Sequence, residues 1–157
     1  MNIKVFLFSM MAFSFSCFAN EALTFDNVYA RATAPGAESS AVFGMLKNDG
    51  DTDVTIVSAS ADVSEEAELH TVIEENDVMQ MRQVSEILVP AHGNVVLQPG
   101  AYHVMLIGLH DQLVSGSQVN LTLDTQDGQS LDFVVPVEDV IEGLQHVDLD
   151  HAMAQDQ

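Results

Sequence analysis

Five side chains with nitrogen or sulfur donors occur at short spacings in the middle of the chain: His70, Met79, Met81, His103 and Met105. Met79 and Met81 are two residues apart, as are His103 and Met105, and side chains two apart on a strand point to the same face. Thioether sulfur is a soft donor that magnesium and calcium reject, whereas imidazole suits copper and zinc. None of these donors is charged, so together they would favour copper(I) over a divalent ion.

Each of these residues, taken alone, also has an ordinary structural explanation. Methionine fills gaps in protein cores, and a histidine on an apolar strand is commonly buried and hydrogen-bonded. Spacing does not distinguish Met79 from Met81, because both would lie on one face of a regular strand. Core packing and a soft-metal site are therefore both compatible with the residues alone. His92 and His110 fall at predicted turns or strand ends, where we expect exposed side chains without a specific role.

The elements that must position these donors are predicted to be β-strands. Short runs rich in Val, Leu, Ile, Thr and Phe alternate with Gly, Pro, Asn and Asp clusters, and none has a sustained helical period. The predicted strands are 24–32, 41–48, 55–59, 67–74, 78–83, 87–89, 94–97, 103–109, 118–123 and 131–137. So many short strands in 157 residues indicate one all-β sandwich or barrel domain.

The N-terminal residues 1–19 have the layout of a signal peptide. Lys4 precedes an apolar run, and Cys17 and Ala19 bracket Phe18 in the small-x-small pattern that signal peptidase cleaves. We predict cleavage after Ala19 and an exported protein with no membrane insertion after cleavage. One alternative is a transmembrane anchor, but the apolar stretch is broken by serines and is shorter than the roughly 20 residues that span a bilayer. The other is a lipoprotein signal that would use Cys17, but the residues before it lack the leucine and small-residue pair that such signals carry.

The cysteine and charge content restrict the classes of function. Cys17 is the single cysteine, so the predicted mature chain has no thiolate for a zinc finger, an iron–sulfur centre or a blue-copper site. The chain has 24 Asp and Glu against four Lys and Arg, and such a charge repels nucleic acid and anionic membranes. The sequence also lacks a Gly-rich phosphate loop and a Gly-x-Ser-x-Gly elbow, so no enzyme class is indicated.

The C-terminal residues 138–157 differ in character from the rest. The segment is acidic and free of aromatic residues, and we expect a flexible tail there. It carries three scattered potential ligands, His146, His151 and Met153. The predicted domain organisation is thus a leader at 1–19, a β-sandwich at 20–137 and this tail.

Several blocks of the sequence resemble the PCuA(C) family of periplasmic copper chaperones. These blocks are Ala-Arg-Ala-Thr-Ala-Pro-Gly at 30–36, Glu-Leu-His at 68–70, Val-Met-Gln-Met-Arg at 78–82 and Pro-Gly-Ala-Tyr-His-Val-Met-Leu-Ile-Gly-Leu at 99–109. The family's metal motif is a histidine, ten residues, a methionine, twenty-one residues and His-x-Met. His70, Met81, His103 and Met105 match this spacing. Thr71 departs from the family, which often has methionine there and thus a spare donor.

The resemblance implies a cupredoxin-like Greek-key β-sandwich that binds copper(I) through those four residues. It selects Met81 over Met79, which becomes a packing residue or an auxiliary donor. Some relatives have a His- and Met-bearing tail thought to take copper(II), so His146, His151 and Met153 become a possible second copper site, against a simply solvated chain end. Mixed imidazole and carboxylate donors would suit that harder ion.

The function implied is a non-enzymatic periplasmic metallochaperone that passes copper on by ligand exchange. The resemblance points to cytochrome c oxidase subunit II as the destination and to Sco-type copper proteins as partners. Two alternatives remain: a periplasmic protein that stores or buffers copper, and a copper electron-transfer protein. The latter is disfavoured by the missing thiolate.

Overall fold

The computed structural model describes residues 23–139, and every regular element in that range is a β-strand. The strands are β1 Leu23–Arg31, β2 Ser39–Asn48, β3 Val54–Ala61, β4 Ser64–Glu75, β5 Val78–Gln83, β6 Ile87–Val89, β7 Gly93–Leu97, β8 His103–Leu109, β9 Gln118–Thr125 and β10 Ser130–Glu138. All ten predicted strands are present. β3 and β4 are longer than predicted because their ends pair with β9 and β8, a long-range contact that local sequence does not reveal.

The strands form a closed, cupredoxin-like Greek-key sandwich. Hydrogen-bonded neighbours follow the order β5-β4-β8-β2-β1-β10-β9-β3-β6, and an additional β3–β4 pairing closes the sheet on itself. β1 and β10 run parallel, and the other pairs are antiparallel. Closure removes most free edges, but β5 pairs on one side only and remains an edge strand.

The core lies inside the sandwich and is aliphatic. The largest fully buried side chains are Leu46, Ile56, Ile87, Leu97, Leu106, Leu121, Leu123, Val42, Val89, Val104, Val119 and Val135. In β8, Val104 and Leu106 point into this core. Strand alternation therefore directs His103 and Met105 to the opposite, outer face of the sheet. A small second cluster, formed by Tyr29, Ala41, Phe43 and the partly buried Met105, covers that face.

A two-residue turn sets the register of the β4–β5 hairpin. Asn76 and Asp77 both have positive φ, 55° and 60°, as a type I′ turn requires, and Asn and Asp tolerate this conformation better than most residues. The turn places Glu75 opposite Val78, and this first pair determines which residues face each other along the rest of the hairpin. Met81 thereby lies opposite Val72, on the face that also carries His70.

The predicted leader at 1–19 and the tail beyond residue 139 lie outside the described residues, and the first tail position, Glu138, is the last residue of β10. Between residues 23 and 139 there is no apolar helix long enough to cross a bilayer.

Candidate metal centre

Two histidines face each other across adjacent strands on the outer face of the sheet. His70 in β4 is the direct cross-strand partner of His103 in β8, and their ring centroids are 5.8 Å apart. Both rings are shielded, since the His70 side chain is 14% exposed and His103 is 3% exposed. The register of β4 and β8 thus brings together two imidazoles that are separated by thirty-two residues in the sequence.

Each imidazole has one ring nitrogen engaged and one free. His70 Nε2 lies 2.7 Å from Glu68 Oε2, and His103 Nδ1 lies 3.0 Å from the carbonyl oxygen of Ala101. Because both partners are acceptors, these nitrogens carry the protons and donate. The other two, His70 Nδ1 and His103 Nε2, are buried and have no hydrogen-bond partner. A buried nitrogen lone pair without a donor is unfavourable unless something occupies it, and metal-binding histidines typically have their other nitrogen held in this way.

Burial keeps His103 ready to act as a ligand. Desolvation lowers the pKa of His103, and the nearby His70 and Arg31 lower it further, while the hydrogen bond to the Ala101 carbonyl partly opposes them. The neutral ring is therefore favoured at neutral pH. Only the neutral form offers a lone pair to a metal.

The two methionines of the predicted set are diagonal neighbours of His70. Met105 lies opposite Glu68, two positions from His70 on one side, and Met81 lies opposite Val72, two positions from His70 on the other. Diagonal positions in a sheet are about 7 to 8 Å apart at the backbone, within reach of long side chains. The strand register therefore groups the other three predicted ligands, Met81, His103 and Met105, around His70.

Met79 lies further from the histidines than Met81 does. Its cross-strand partner is Glu74, four residues from His70, which at about 3.3 Å per residue is roughly 13 Å along the strand. Met79 is also 60% exposed at the edge of the sheet. The geometry thus favours Met81 as the donor from β5.

Met81, His103 and Met105 line one cleft of about 310 Å³ on this face. Phe43 and Val72 contribute apolar walls, and Pro99 and Gly100 form part of its rim. His103 forms the buried side of this arrangement, whereas Met81, on the edge strand, is 53% exposed. A soft ion held here would thus have one shielded nitrogen donor, His103, and one sulfur donor open to solvent, Met81. His70 lies next to His103 on the same face but does not itself line this cleft.

Two residues at this site, Glu68 and Arg31, were not predicted from the sequence to have a role. Glu68 lies two residues before His70, so the alternation rule that grouped His103 with Met105 could have identified it. Arg31 could not be found in this way, because it reaches the cleft from β1. Its guanidinium carbon lies 5.3 Å above the centre of the Phe43 ring, and that ring is 6.0 Å from the His103 ring.

The remaining predicted histidines do not join this group. The side chain of His92 is 66% exposed and bonds to Asp51 at 2.8 Å, as expected of a turn residue. His110 is likewise exposed, on the bend after β8. His146, His151 and Met153 lie outside the described residues, so the second copper site remains a prediction.

The fold defines the class of protein: a cupredoxin-like β-sandwich, similar to solved structures of PCuAC domains. The copper-bound PCuAC domain from PmoF2 superposes with a TM-score of 0.64, covering 78% of this chain and 97% of that one at 16% identity, a likeness of fold. Apo-DR1885 from Deinococcus radiodurans is 27% identical, covering 91% of this chain and 93% of that one with a TM-score of 0.62. The copper(I) form of DR1885 is 30% identical over 77% of this chain and 83% of that one, with a TM-score of 0.61.

Sequence comparison gives the family. Residues 23–137 match the family described as "Putative lipoprotein LpqE-like", and the chain belongs to this family. A relative from Leifsonia xyli subsp. xyli, "Putative lipoprotein Lxx21020", is 33% identical over 107 residues, which cover 68% of this chain. The same match spans 64% of the relative's length.

Proposed function

We propose that this protein is an exported metallochaperone that binds one copper(I) ion through His70, Met81, His103 and Met105. The observation that carries the proposal is the pair of buried nitrogens, His70 Nδ1 and His103 Nε2, which have no partner and belong to cross-strand neighbours. Two thioethers flank them, and this mixed soft donor set suits copper(I) better than zinc or a hard cation. The similarity to a copper(I) form of DR1885 supports the choice of ion.

The graded exposure of the donors supports transfer by ligand exchange. His103 lies on β8, a strand paired on both sides, and is buried, whereas Met81 lies on an edge strand with half of its surface in solvent. An incoming donor from a recipient protein would therefore displace Met81 first, while the histidines still hold the ion. No proton needs to be moved, because a thioether binds and leaves as a neutral group.

The direct test is an anaerobic titration of the purified protein with copper(I) in competition with a chromophoric copper(I) chelator. We expect one ion per chain. His70→Ala, His103→Ala, Met81→Ala and Met105→Ala should each weaken binding strongly, whereas Met79→Ala, the matched control on the same strand, should bind like the parent. Parental affinity in His70→Ala and His103→Ala would show that the ion binds elsewhere.

Delivery, rather than storage, is the second part of the proposal. Following the resemblance to PCuA(C) proteins, the proposed recipient is the copper centre in subunit II of cytochrome c oxidase, with Sco-type proteins as partners. Deleting the gene should lower oxidase copper content at limiting copper, and restoring it with His103→Ala should fail to rescue. Normal oxidase copper with a smaller copper pool in the deletion strain would instead indicate a storage protein.

The proposed location is the periplasm, after cleavage of residues 1–19. The relative and the family are both described as lipoproteins, which supports export and makes the lipid-anchor alternative at Cys17 worth testing. The intact mass of the protein isolated from its own cells distinguishes the two. A chain beginning at Asn20 supports the signal peptide, and a diacylated chain beginning at Cys17 supports the anchor.

A further inference from the structure

Arg31 differs from the other basic residues in the described part of the chain. Lys47 pairs with Asp49 at 3.0 Å and Arg82 pairs with Glu75, both on the exposed surface. Arg31 has Glu138 as its cross-strand partner on β10, but within residues 23–139 no carboxylate lies within ion-pair distance of it. Its guanidinium lies over the Phe43 ring and lines the cleft with Met81, His103 and Met105. In a chain with 24 acidic and four basic residues, a positive charge at this one cleft needs an explanation.

The guanidinium is close enough to act on an ion in the cleft. Its carbon is 5.3 Å from the Phe43 centroid, which is 6.0 Å from the His103 centroid, so Arg31 and the imidazole are at most 11.3 Å apart. Aromatic stacking fixes the guanidinium there without neutralising it. The carboxylate of Glu68 is bonded to His70, and Arg31 opposes its field at the site.

We infer that Arg31 makes the site selective for the oxidation state of copper, by placing a fixed positive charge beside His103 that penalises copper(II) more than copper(I). The inference rests on the proposed function. A unit charge repels a divalent ion twice as strongly as a monovalent one at the same place. The neutral donor set already favours copper(I), and Arg31 adds an electrostatic preference that does not depend on ligand type.

The expected size follows from Coulomb's law. With an effective dielectric constant of about 20 to 40, one unit charge near 11 Å changes the ratio of copper(I) to copper(II) affinity by about 3- to 10-fold. This change corresponds to about 30 to 60 mV in the potential of the bound ion, at 59 mV per tenfold for one electron. Salt weakens the effect, because the Debye length is about 10 Å at 0.1 M.

The experiment compares the parent with Arg31→Met and Arg31→Lys at low ionic strength. Affinities for copper(I) and for copper(II) are each measured against a competing chelator, and thermal unfolding of the metal-free protein checks the fold. Lys47→Gln is the matched control, since it removes one positive charge from a surface pair on β2. We expect Arg31→Met to lower the copper(I)-to-copper(II) ratio by about 3- to 10-fold, with Arg31→Lys and Lys47→Gln close to the parent.

Several results would overturn the inference: a ratio in Arg31→Met equal to that of the parent, equal losses in Arg31→Lys and Arg31→Met, or an equal loss in Lys47→Gln. Equal losses in both Arg31 variants would mean that its shape matters and its charge does not. A parent that does not bind copper(I) at all would instead refute the proposed function. The two failures are therefore distinguishable.

Discussion

Removing the carboxylate of Glu68 should weaken copper(I) binding without removing a ligand. Glu68 Oε2 lies 2.7 Å from His70 Nε2, and both side chains are largely shielded, at 25% and 14% exposure. This hydrogen bond holds the proton on Nε2 and thereby leaves Nδ1 free as a donor. Without this hydrogen bond, the His70 ring can rotate or adopt the other tautomer. Copper binding must then supply the free energy that returns the ring to the orientation and tautomer in which Nδ1 is free.

The magnitude follows from the type of hydrogen bond. A bond to a charged group contributes about 1.5 to 3 kcal/mol, equivalent to roughly 10- to 100-fold in affinity. Partners that orient metal-binding histidines typically account for a loss of the same size. Glu68→Ala should therefore weaken copper(I) affinity by an amount near the upper end of this range. Glu68→Gln still accepts a hydrogen bond but lacks the charge, so its loss of affinity should lie near the lower end.

The assay is the same anaerobic chelator competition, performed at constant pH and ionic strength. Glu74→Gln is the matched control, because Glu74 lies on the same strand and the same face, four residues beyond His70. We expect it to bind within about twofold of the parent, since an exposed charge at that distance is screened. Unchanged affinity in Glu68→Ala, or an equal loss in Glu74→Gln, would refute the role assigned to Glu68.

Four further predictions follow from the same structure. Met81→Ala should lose copper(I) affinity while Met79→Ala does not, as measured by the same titration; an equal loss in both would refute the register argument. The lowered pKa of His103 means that the unfolded chain binds its proton first, so metal-free stability should be full above about pH 6.5 and fall as pH drops toward the native pKa. Denaturant unfolding of parent and His103→Gln should show a smaller fall in the variant, and parallel pH profiles would contradict this. Asp77→Val should cost about 1 to 2 kcal/mol in denaturant unfolding, because a β-branched residue resists positive φ; no loss would contradict the turn assignment. Leu106→Ala should cost about 2 to 5 kcal/mol in the same measurement, since the side chain is fully buried, and a cost under about 1 kcal/mol would place Leu106 outside the core.

The strands could be predicted because their signals are local. Alternating apolar residues and turn clusters located all ten, including the edge strand β5 and the ligand strand β8. The Asn76-Asp77 turn has a weaker sequence signal, because Asp77 stands where the more familiar Asn-Gly pair has glycine, yet both residues have positive φ. That turn nevertheless decides which methionine lies near His70.

The cross-strand arrangement could not be derived from spacing alone. Alternation places His103 and Met105 on one face, but only the pairing of β4 with β8 shows that His70 lies directly opposite His103. The resemblance to PCuA(C) proteins supplied that grouping in advance. It did not supply the state of the ring nitrogens, which depends on the Glu68 carboxylate and the Ala101 carbonyl.

The position of Arg31 could not be predicted from the pattern of a single strand. It was visible in the sequence only as part of the segment at 30–36, with no sign that it would lie near the ligands. Its position depends on the pairing of β1 with β2, which places Tyr29 opposite Phe43 and leads the next outward side chain toward the cleft. The contact involves residues on β1, β2 and β8, so the spacing of residues within one strand cannot predict it.

The proposed site holds one copper(I) ion between two imidazole nitrogens and two thioether sulfurs. An X-ray absorption spectrum of the copper-loaded protein tests it most directly, because the edge reports the oxidation state and the fine structure reports the donors. We expect a copper(I) edge with two sulfur and two nitrogen neighbours, and the loss of one sulfur neighbour in Met81→Ala. A shell of nitrogen and oxygen alone, with no sulfur, would contradict it.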